Sequence, residues 1–104
     1  MSLSITYHEL ARADLSNAWS WYEARARGLG DRFTAAVDAA LDQVAVWPAS
    51  GSPAIEVDGE VIERRVATAG FPYLARYRIA DDTILVMAIY HQRRHPGFGS
   101  DRQR

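Results

Sequence analysis

The chain has 104 residues, 48% of them hydrophobic and 24% charged, which is typical of a soluble globular domain. It contains no cysteine, which excludes disulfides and thiolate metal sites, and no apolar run approaches the roughly eighteen residues of a membrane-spanning helix. Charge is uneven: residues 1–60 hold four arginines against nine carboxylates (net −5), and residues 61–104 hold eight arginines against four (net +4). The C-terminal half is therefore a candidate surface for an anionic partner.

The N-terminus has no basic segment followed by an apolar core, so we expect one cytoplasmic domain over residues 1–104. Residues 4–7 are a candidate strand. From residues 10 to 27, apolar side chains recur at helical spacing, and Gly28 is expected to end that helix in a left-handed conformation. A second apolar stripe begins at residue 29 and stops before Pro48. The short connection between the stripes predicts an antiparallel helix hairpin.

The second half of the chain is typical of a small sheet. Residues 48–60 have the composition of a loop, and strands are predicted over residues 61–68, 71–79 and 84–90. The last of these is apolar at odd and even positions, which indicates a central strand covered on both faces. The tail from residue 100 is expected to be disordered.

Together the elements predict an α+β fold in the order β-α-α-β-β-β. An N-terminal strand joins a small, mainly antiparallel four-stranded sheet, and the helix hairpin packs on one face of that sheet. Alternation in the third predicted strand places its aromatic residues toward the helices and Arg76 and Arg78 on the open face.

Six arginines of the predicted sheet are candidate binding residues, namely Arg64, Arg65, Arg76, Arg78, Arg93 and Arg94. If their guanidinium groups converge, they can grip phosphates or stabilise a phosphorane-like transition state. The alternative is a solvated face in which the arginines pair with Glu63 and the turn carboxylates. The pattern does not decide whether Arg64 or Arg65 faces the open side.

Two histidines flank Arg93 and Arg94 directly after the central strand. His91 or His95 can carry a proton near neutral pH, and either can instead be a strand-end histidine hydrogen-bonded to the backbone. Neither has a carboxylate or a third histidine at ligand spacing, so no metal and no cofactor is expected.

The tryptophans divide into two kinds. Trp19 and Trp47 lie on the apolar stripes and are expected to pack. Trp21 lies off its stripe, which favours either a partner contact or partial burial against a loop.

These features occur together in an order that resembles the ParE/RelE superfamily of toxins from type II toxin–antitoxin (plasmid stabilisation) modules. The resemblance extends from about residue 5 to residue 102. Its motifs are Ala13-Asp14-Leu15, Trp21-Tyr22-Glu23, Gly28-Leu29-Gly30 with Phe33, Pro48, Arg64-Arg65 before Phe71-Pro72-Tyr73, Tyr77-Arg78-Ile79, and His91-Gln92-Arg93-Arg94 with Pro96.

The resemblance implies a cytoplasmic growth inhibitor whose working surface is blocked by a cognate antitoxin. ParE-like members act on DNA gyrase, and RelE-like members are metal-free, ribosome-dependent ribonucleases that use basic sheet residues with a C-terminal tyrosine or histidine. In the RelE-like reading, Arg65, Arg94 and His91 are catalytic. Phe98 stands where a ribonuclease is expected to have tyrosine, and phenylalanine carries no proton.

We therefore favour the ParE-like interpretation, in which the target or the antitoxin contacts residues of the arginine face and its surroundings: Trp21, Arg64, Arg76, Arg78, Arg93, His95 and Phe98. The resemblance allows two alternatives, a RelE-like ribonuclease acting on ribosome-bound mRNA and an inactive relative that only binds its antitoxin. No membrane contact is expected, and the antitoxin implies a hetero-oligomer.

Overall fold

A computed structural model describes residues 2–94 and 98–102 of the chain. Its helices are α1 (Glu9–Glu23) and α2 (Leu29–Val46), and a single 3-10 turn, Pro48–Ser50, follows α2. Its strands are β1 (Ser4–Tyr7), β2 (Ser52–Val57), β3 (Glu60–Ala67), β4 (Tyr73–Ala80) and β5 (Thr83–His91). The predicted α+β architecture is confirmed, and the sheet has five strands rather than four.

The sheet order is β1-β5-β4-β3-β2. Strands β2 to β5 form an antiparallel meander, and β1 runs parallel to β5 along Ser4–Tyr7. Strand β5 is therefore flanked on both sides over its first half. All of its residues from Ile84 to Tyr90 are buried, as the apolar run predicts.

The extra strand lies in the segment that the sequence predicts to be a loop. Asp58 and Gly59 both adopt positive φ (52° and 80°) and join β2 to β3, as expected for a two-residue hairpin turn. The loop prediction failed because Gly51, Ser52 and Pro53 are residue types that are common in loops. An edge strand tolerates proline, and the Asp-Gly pair is the hairpin signal that was missed.

The helices cover one face of the sheet. Their buried residues form a continuous core with β4 and β5: Ala11, Ala18, Tyr22, Phe33, Val37, Leu41, Ala75, Val86 and Ile89. Tyr77 extends this core toward Val44 near the end of α2. The aromatic side of β4 therefore packs on the helices, as alternation predicts.

The end of α1 differs from its prediction. The helix ends at Glu23 rather than near residue 27, and Gly28 takes the left-handed conformation (φ 86°) immediately before α2. The Glu23 carboxylate accepts hydrogen bonds from the N–H groups of Gly28 and Gly30, and so satisfies donors at the start of α2.

Trp47 does not pack, contrary to its prediction. Trp47 is 67% exposed, and Tyr77 is the aromatic residue that packs against Val44 near the end of α2. The Tyr77 hydroxyl donates to the carbonyl of Pro48 and accepts from the N–H of Gly51, so the chain after α2 is tied to the sheet without the indole.

Candidate functional site

One concavity lies at the end of the sheet where β4 begins and β5 ends. It has a volume of about 250 Å³, and we call it the sheet-end cavity. Its walls come from α1, β4, β5 and the C-terminal segment: Asp14, Asn17, Ala18, Trp21, Tyr73, Ile89, Tyr90, His91, Arg94 and Phe98. This cavity therefore brings together four of the predicted site residues: Trp21, His91, Arg94 and Phe98.

A second concavity of about 330 Å³ adjoins the first and shares three of its residues. We call it the aromatic pocket, and it is lined by Trp21, Tyr22, Pro72, Tyr73 and His91. The Trp21 side chain is 50% exposed, in line with its position off the apolar stripe. Burial, followed by the nearby Tyr73 phenol, raises the pKa of Tyr22 above its ordinary value, so this lining phenol is neutral at physiological pH.

A cation borders the aromatic pocket. The Arg25 guanidinium lies 3.3 Å from the centre of the Trp21 ring, and its Nη1 donates to the carbonyl of Trp21 one helical turn earlier. Stacking of this kind holds the indole in one orientation while the charge stays in solvent. The pocket therefore presents an ordered aromatic surface with a positive border.

Two of the six candidate arginines share a third concavity. Arg65 and Arg94, with Leu74, Tyr90 and Gln92, line a cavity of about 200 Å³ that we call the arginine pocket. Neither guanidinium has an ion pair among the described residues. Arg94 lies 5.0 Å from the centre of the Phe98 ring and also borders the sheet-end cavity.

The expected open arginine face does not exist at Arg76 and Arg78. The Arg76 side chain is fully buried, and its Nε donates to Glu63 Oε1 at 2.6 Å. Arg78 Nε donates to the other oxygen of the same carboxylate at 2.5 Å, with 36% of its side chain exposed. One buried glutamate thus binds both arginines, because Glu63, Arg76 and Arg78 all point to the face away from the helices. The pairing with Glu63 predicted by the alternative reading is present, but it is buried rather than solvated.

The structure decides between Arg64 and Arg65. Arg64 is opposite Tyr77 in the register of β3 and β4 and lies on the helix side, where its Nη1 donates to the carbonyl of Gly51 at 2.9 Å. Arg65 is opposite Arg76 and lies on the other face. Arg64 is thus used to hold the chain that follows α2, and Arg65 is the one available to the arginine pocket.

His91 shows the geometry of a strand-end histidine. Its Nδ1 accepts the backbone N–H of Arg93 at 3.1 Å, and its ring meets the Tyr73 ring edge to face at 5.4 Å. Nε2 has no hydrogen bond among the residues that the structure describes. The Arg93 side chain is exposed and lines none of the three concavities, and His95 lies outside the described residues.

Phe98 is held in place by contacts that the sequence did not predict. Its ring lies 6.1 Å from that of Tyr90 and 4.9 Å from the Arg102 guanidinium, and its carbonyl accepts a hydrogen bond from Arg76. Arg102 in turn binds both oxygens of Asp14, at 2.6 and 3.2 Å. Within residues 98–102, Phe98 and Arg102 are therefore held by contacts with the rest of the fold, contrary to the expectation of a disordered tail from residue 100.

Asp14 and Arg102 are the polar residues around the site that sequence reasoning missed. Glu63 was predicted as a partner of the arginines, since it alternates with Arg65 on β3 and so shares the face of the arginines on β4. Asp14 and Arg102 had no such signal, because 88 residues separate them.

The described residues offer no cluster of three or more His, Cys, Asp or Glu side chains that could hold a metal ion. Within the same residues, no helix combines the length and the apolar character that crossing a membrane requires.

Comparison with known proteins gives one family and one fold. The family model for the ParE toxin of the type II toxin–antitoxin system parDE matches residues 5–96. A chain from the chromosomal ParDE toxin–antitoxin system of P. aeruginosa is similar in structure, with a TM-score of 0.61, 21% sequence identity, and coverage of 86% of this chain and 96% of that one. A search of curated proteins finds no significant match. Because the family model spans nearly the whole chain, the chain belongs to the ParE toxin family of type II toxin–antitoxin systems.

Proposed function

We propose that the chain is a growth-inhibiting toxin that acts in the cytoplasm by binding DNA gyrase, and that a cognate antitoxin neutralises it in a hetero-oligomer. The match of the ParE family model to residues 5–96 carries this proposal. Inhibition by binding needs a shaped surface and no proton carrier. The three concavities at the sheet end supply such a surface.

The arrangement of the arginines favours binding over cleavage. Arg76 and Arg78 both bind the single Glu63 carboxylate, so their guanidinium groups are already engaged and are not directed at a bound phosphate. Phe98 places a phenyl ring in the sheet-end cavity, and His91 uses Nδ1 for the backbone of Arg93.

The antitoxin is proposed to occupy the aromatic pocket. A large apolar side chain from the antitoxin fits between Trp21, Tyr73 and His91, and acidic residues beside it meet Arg25 and Arg94. We expect Trp21→Ala to weaken antitoxin binding at least about tenfold, since exposed aromatic residues at pockets often dominate such interfaces. Trp47→Ala is the matched control, because that indole is exposed but lies outside the site.

A second function is supported by one observation. Arg65 and Arg94 line the same pocket, so two guanidinium groups are available to a cyclising phosphate, with His91 to move the proton. This is the RelE-like ribonuclease. In this reading Arg94→Ala and His91→Ala each abolish cleavage of ribosome-bound mRNA, and both proteins remain folded.

One set of assays separates these functions. Expression is first tested for growth arrest, with and without the protein encoded by the neighbouring open reading frame. Purified protein is then assayed for inhibition of gyrase supercoiling and for cutting of mRNA in a translating system. We expect inhibited supercoiling and intact message.

The control for these assays is Arg32→Ala, which removes an exposed arginine of α2 whose side chain has no hydrogen bond, ion pair or ring contact within the described residues. Message cut at defined codons contradicts gyrase binding and supports the ribonuclease. Harmless expression without the neighbouring protein contradicts both and leaves a family member that only binds its antitoxin.

A further inference from the structure

Residues 98–102 form a short segment packed against β5, and we call it the C-terminal strap. The first contact is the Phe98 ring on Tyr90. The second is close backbone approach at Gly99, where an added Cβ would lie 3.2 Å from the Cβ of Ala88. The third is Arg102, which reaches past the edge of β5 to helix α1.

Asp14 joins the strap to the rest of the fold. One carboxylate oxygen accepts both the backbone N–H of Ile89 (3.1 Å) and Arg102 Nη1 (2.6 Å), and the other accepts Arg102 Nη2 at 3.2 Å. Arg102 Nη1 also donates to the carbonyl of Met87 at 3.1 Å. The side chains of Asp14 and Arg102 are only 13% and 10% exposed, so the pair is shielded from solvent and from salt screening.

We call the ion pair of Asp14 and Arg102 the clamp, and it lies beside the proposed working surface. Asp14 and Phe98 both line the sheet-end cavity, together with Trp21 and His91. We propose that Asp14 and Arg102 are positioning residues: their ion pair docks the strap and thereby sets Phe98 as a wall of the sheet-end cavity. The effect on toxicity rests on the proposed function, because displacing Phe98 changes the surface that binds the target.

The test compares Asp14→Asn and Arg102→Gln with wild type and with two controls. Asp101→Asn removes an exposed carboxylate from the same strap, and Arg32→Gln removes an exposed arginine from α2. Neither side chain has a hydrogen bond, ion pair or ring contact within the described residues. Amide hydrogen exchange over residues 98–102 and the indole NMR signal of Trp21 report strap docking without any target. Both variants are expected to lose strap protection and to shift the Trp21 signal, while the Trp47 signal stays unchanged.

The functional measurement is the concentration that half-inhibits gyrase. Each clamp variant should raise it about tenfold, and the double variant should do no worse than either single one, because both remove the same ion pair. Both controls should match wild type. Growth arrest in cells should follow the same order.

A reversible lock distinguishes positioning from general loss of stability. The chain has no cysteine, and the short distance between Ala88 and the Cβ position of Gly99 suits a disulfide after a small shift of the strap. In the Asp14→Asn protein, Ala88→Cys with Gly99→Cys should restore inhibition when oxidised and lose it again on reduction. The reduced form of the same protein is the control for backbone strain from a cysteine at position 99, where Gly99 has a φ of 75°.

Two results overturn the inference. The first is unchanged strap protection and an unchanged Trp21 signal in both clamp variants. The second is a released strap with wild-type inhibition of gyrase. If wild-type protein does not inhibit gyrase at all, the proposed function fails. Hydrogen exchange and the Trp21 indole signal, measured also on the oxidised and reduced lock, then still decide whether the Asp14–Arg102 ion pair positions Phe98.

Discussion

Glu63 is a single buried carboxylate that binds two arginines of the neighbouring strand. Its side chain is 1% exposed, and that of Arg76 is fully buried, so both charges are shielded from water. Separating such a pair leaves an uncompensated buried charge, which costs far more than an exposed ion pair contributes. The face of the sheet opposite the helices is therefore held together by charge at the point where a simple alternation pattern predicts an open surface.

We expect Glu63→Gln to lower the free energy of unfolding by about 3 kcal/mol, because the amide cannot neutralise Arg76. Glu60→Gln is the control on the same strand, since its side chain is exposed, and it should change stability by less than about 0.5 kcal/mol. Urea unfolding followed by circular dichroism measures both. Equal stability of the two variants would show that the buried ion pair of Glu63 and Arg76 does not contribute to the free energy of unfolding.

Tyr7 carries the one buried side-chain polar atom without a hydrogen-bond partner among the residues described. Burial, then the nearby carboxylate of Asp38, raises the pKa of Tyr7 to about 12, and Arg12 partly opposes this. The folded protein therefore keeps this phenol protonated at a pH where the unfolded chain, with an ordinary pKa of 10.0, has lost the proton. Stability attributable to Tyr7 should fall as pH rises above 10.

Tyr7→Phe should accordingly raise the free energy of unfolding by about 1 kcal/mol at neutral pH, since an unsatisfied hydroxyl is removed. It should also remove the loss of stability that wild type shows as pH rises from 10.0 to about 12. Tyr77→Phe is the matched comparison and should destabilise, because that hydroxyl has two hydrogen bonds. Denaturant titrations at several pH values measure both. A destabilised Tyr7→Phe would refute this assignment.

At the scale of elements, the helix hairpin depends on Glu23. Its carboxylate accepts hydrogen bonds from the N–H groups of Gly28 and Gly30. These donors have no acceptor within the first turn of α2. The same turn is close-packed, because a Cβ on Gly30 would lie 2.7 Å from the indole nitrogen of Trp19. Trp19 Nε1 donates to Asp31 in the first turn of α2 and fixes the hairpin from the other side.

Glu23→Ala should lower the free energy of unfolding by about 1.5 kcal/mol, as expected for loss of a charged cap. Hydrogen exchange of the Gly28 and Gly30 amides should accelerate more than that of residues in the core of α2. Glu56→Ala, at an exposed position of β2, is the control. Unchanged exchange at both glycines would mean that the carboxylate is not the cap.

At the scale of the whole molecule, unpaired positive charge lies around the concave end. Among the described residues, Arg25, Arg65 and Arg94 have no ion pair, and the nearby Asp14 and Glu23 are occupied by Arg102 and by backbone N–H groups. Charge of this kind attracts an acidic partner at long range and is screened by salt.

Association with the antitoxin should therefore slow about tenfold when salt is raised from roughly 50 mM to 500 mM. Arg94→Gln should flatten this salt dependence. Arg32→Gln removes an exposed arginine that lines none of the three concavities and should leave it unchanged. Stopped-flow fluorescence measures the association rate. A rate independent of salt would exclude an acidic antitoxin segment at this surface.

The sequence alone determined the helix hairpin, the buried central strand and the order of every element except β2, because hydrophobic periodicity and turn residues act over a few positions at a time. The apolar residues 84–90 are enough to predict a covered strand, and the alternation in β4 correctly placed Tyr73 and Tyr77 toward the helices. The motifs in their order were also enough for the family, which the family model confirms.

Only the tertiary structure decided which charges are available to a partner. Whether an arginine is open or neutralised depends on the register between strands: Glu63 reaches Arg76 and Arg78 because β3 pairs with β4 in one particular alignment. Contacts between distant positions, such as Asp14 with Arg102, leave no periodic trace in the chain, because nothing local requires them. Interactions between residues close in sequence therefore determine the helices and strands, and the alignment of those elements in the fold determines the site.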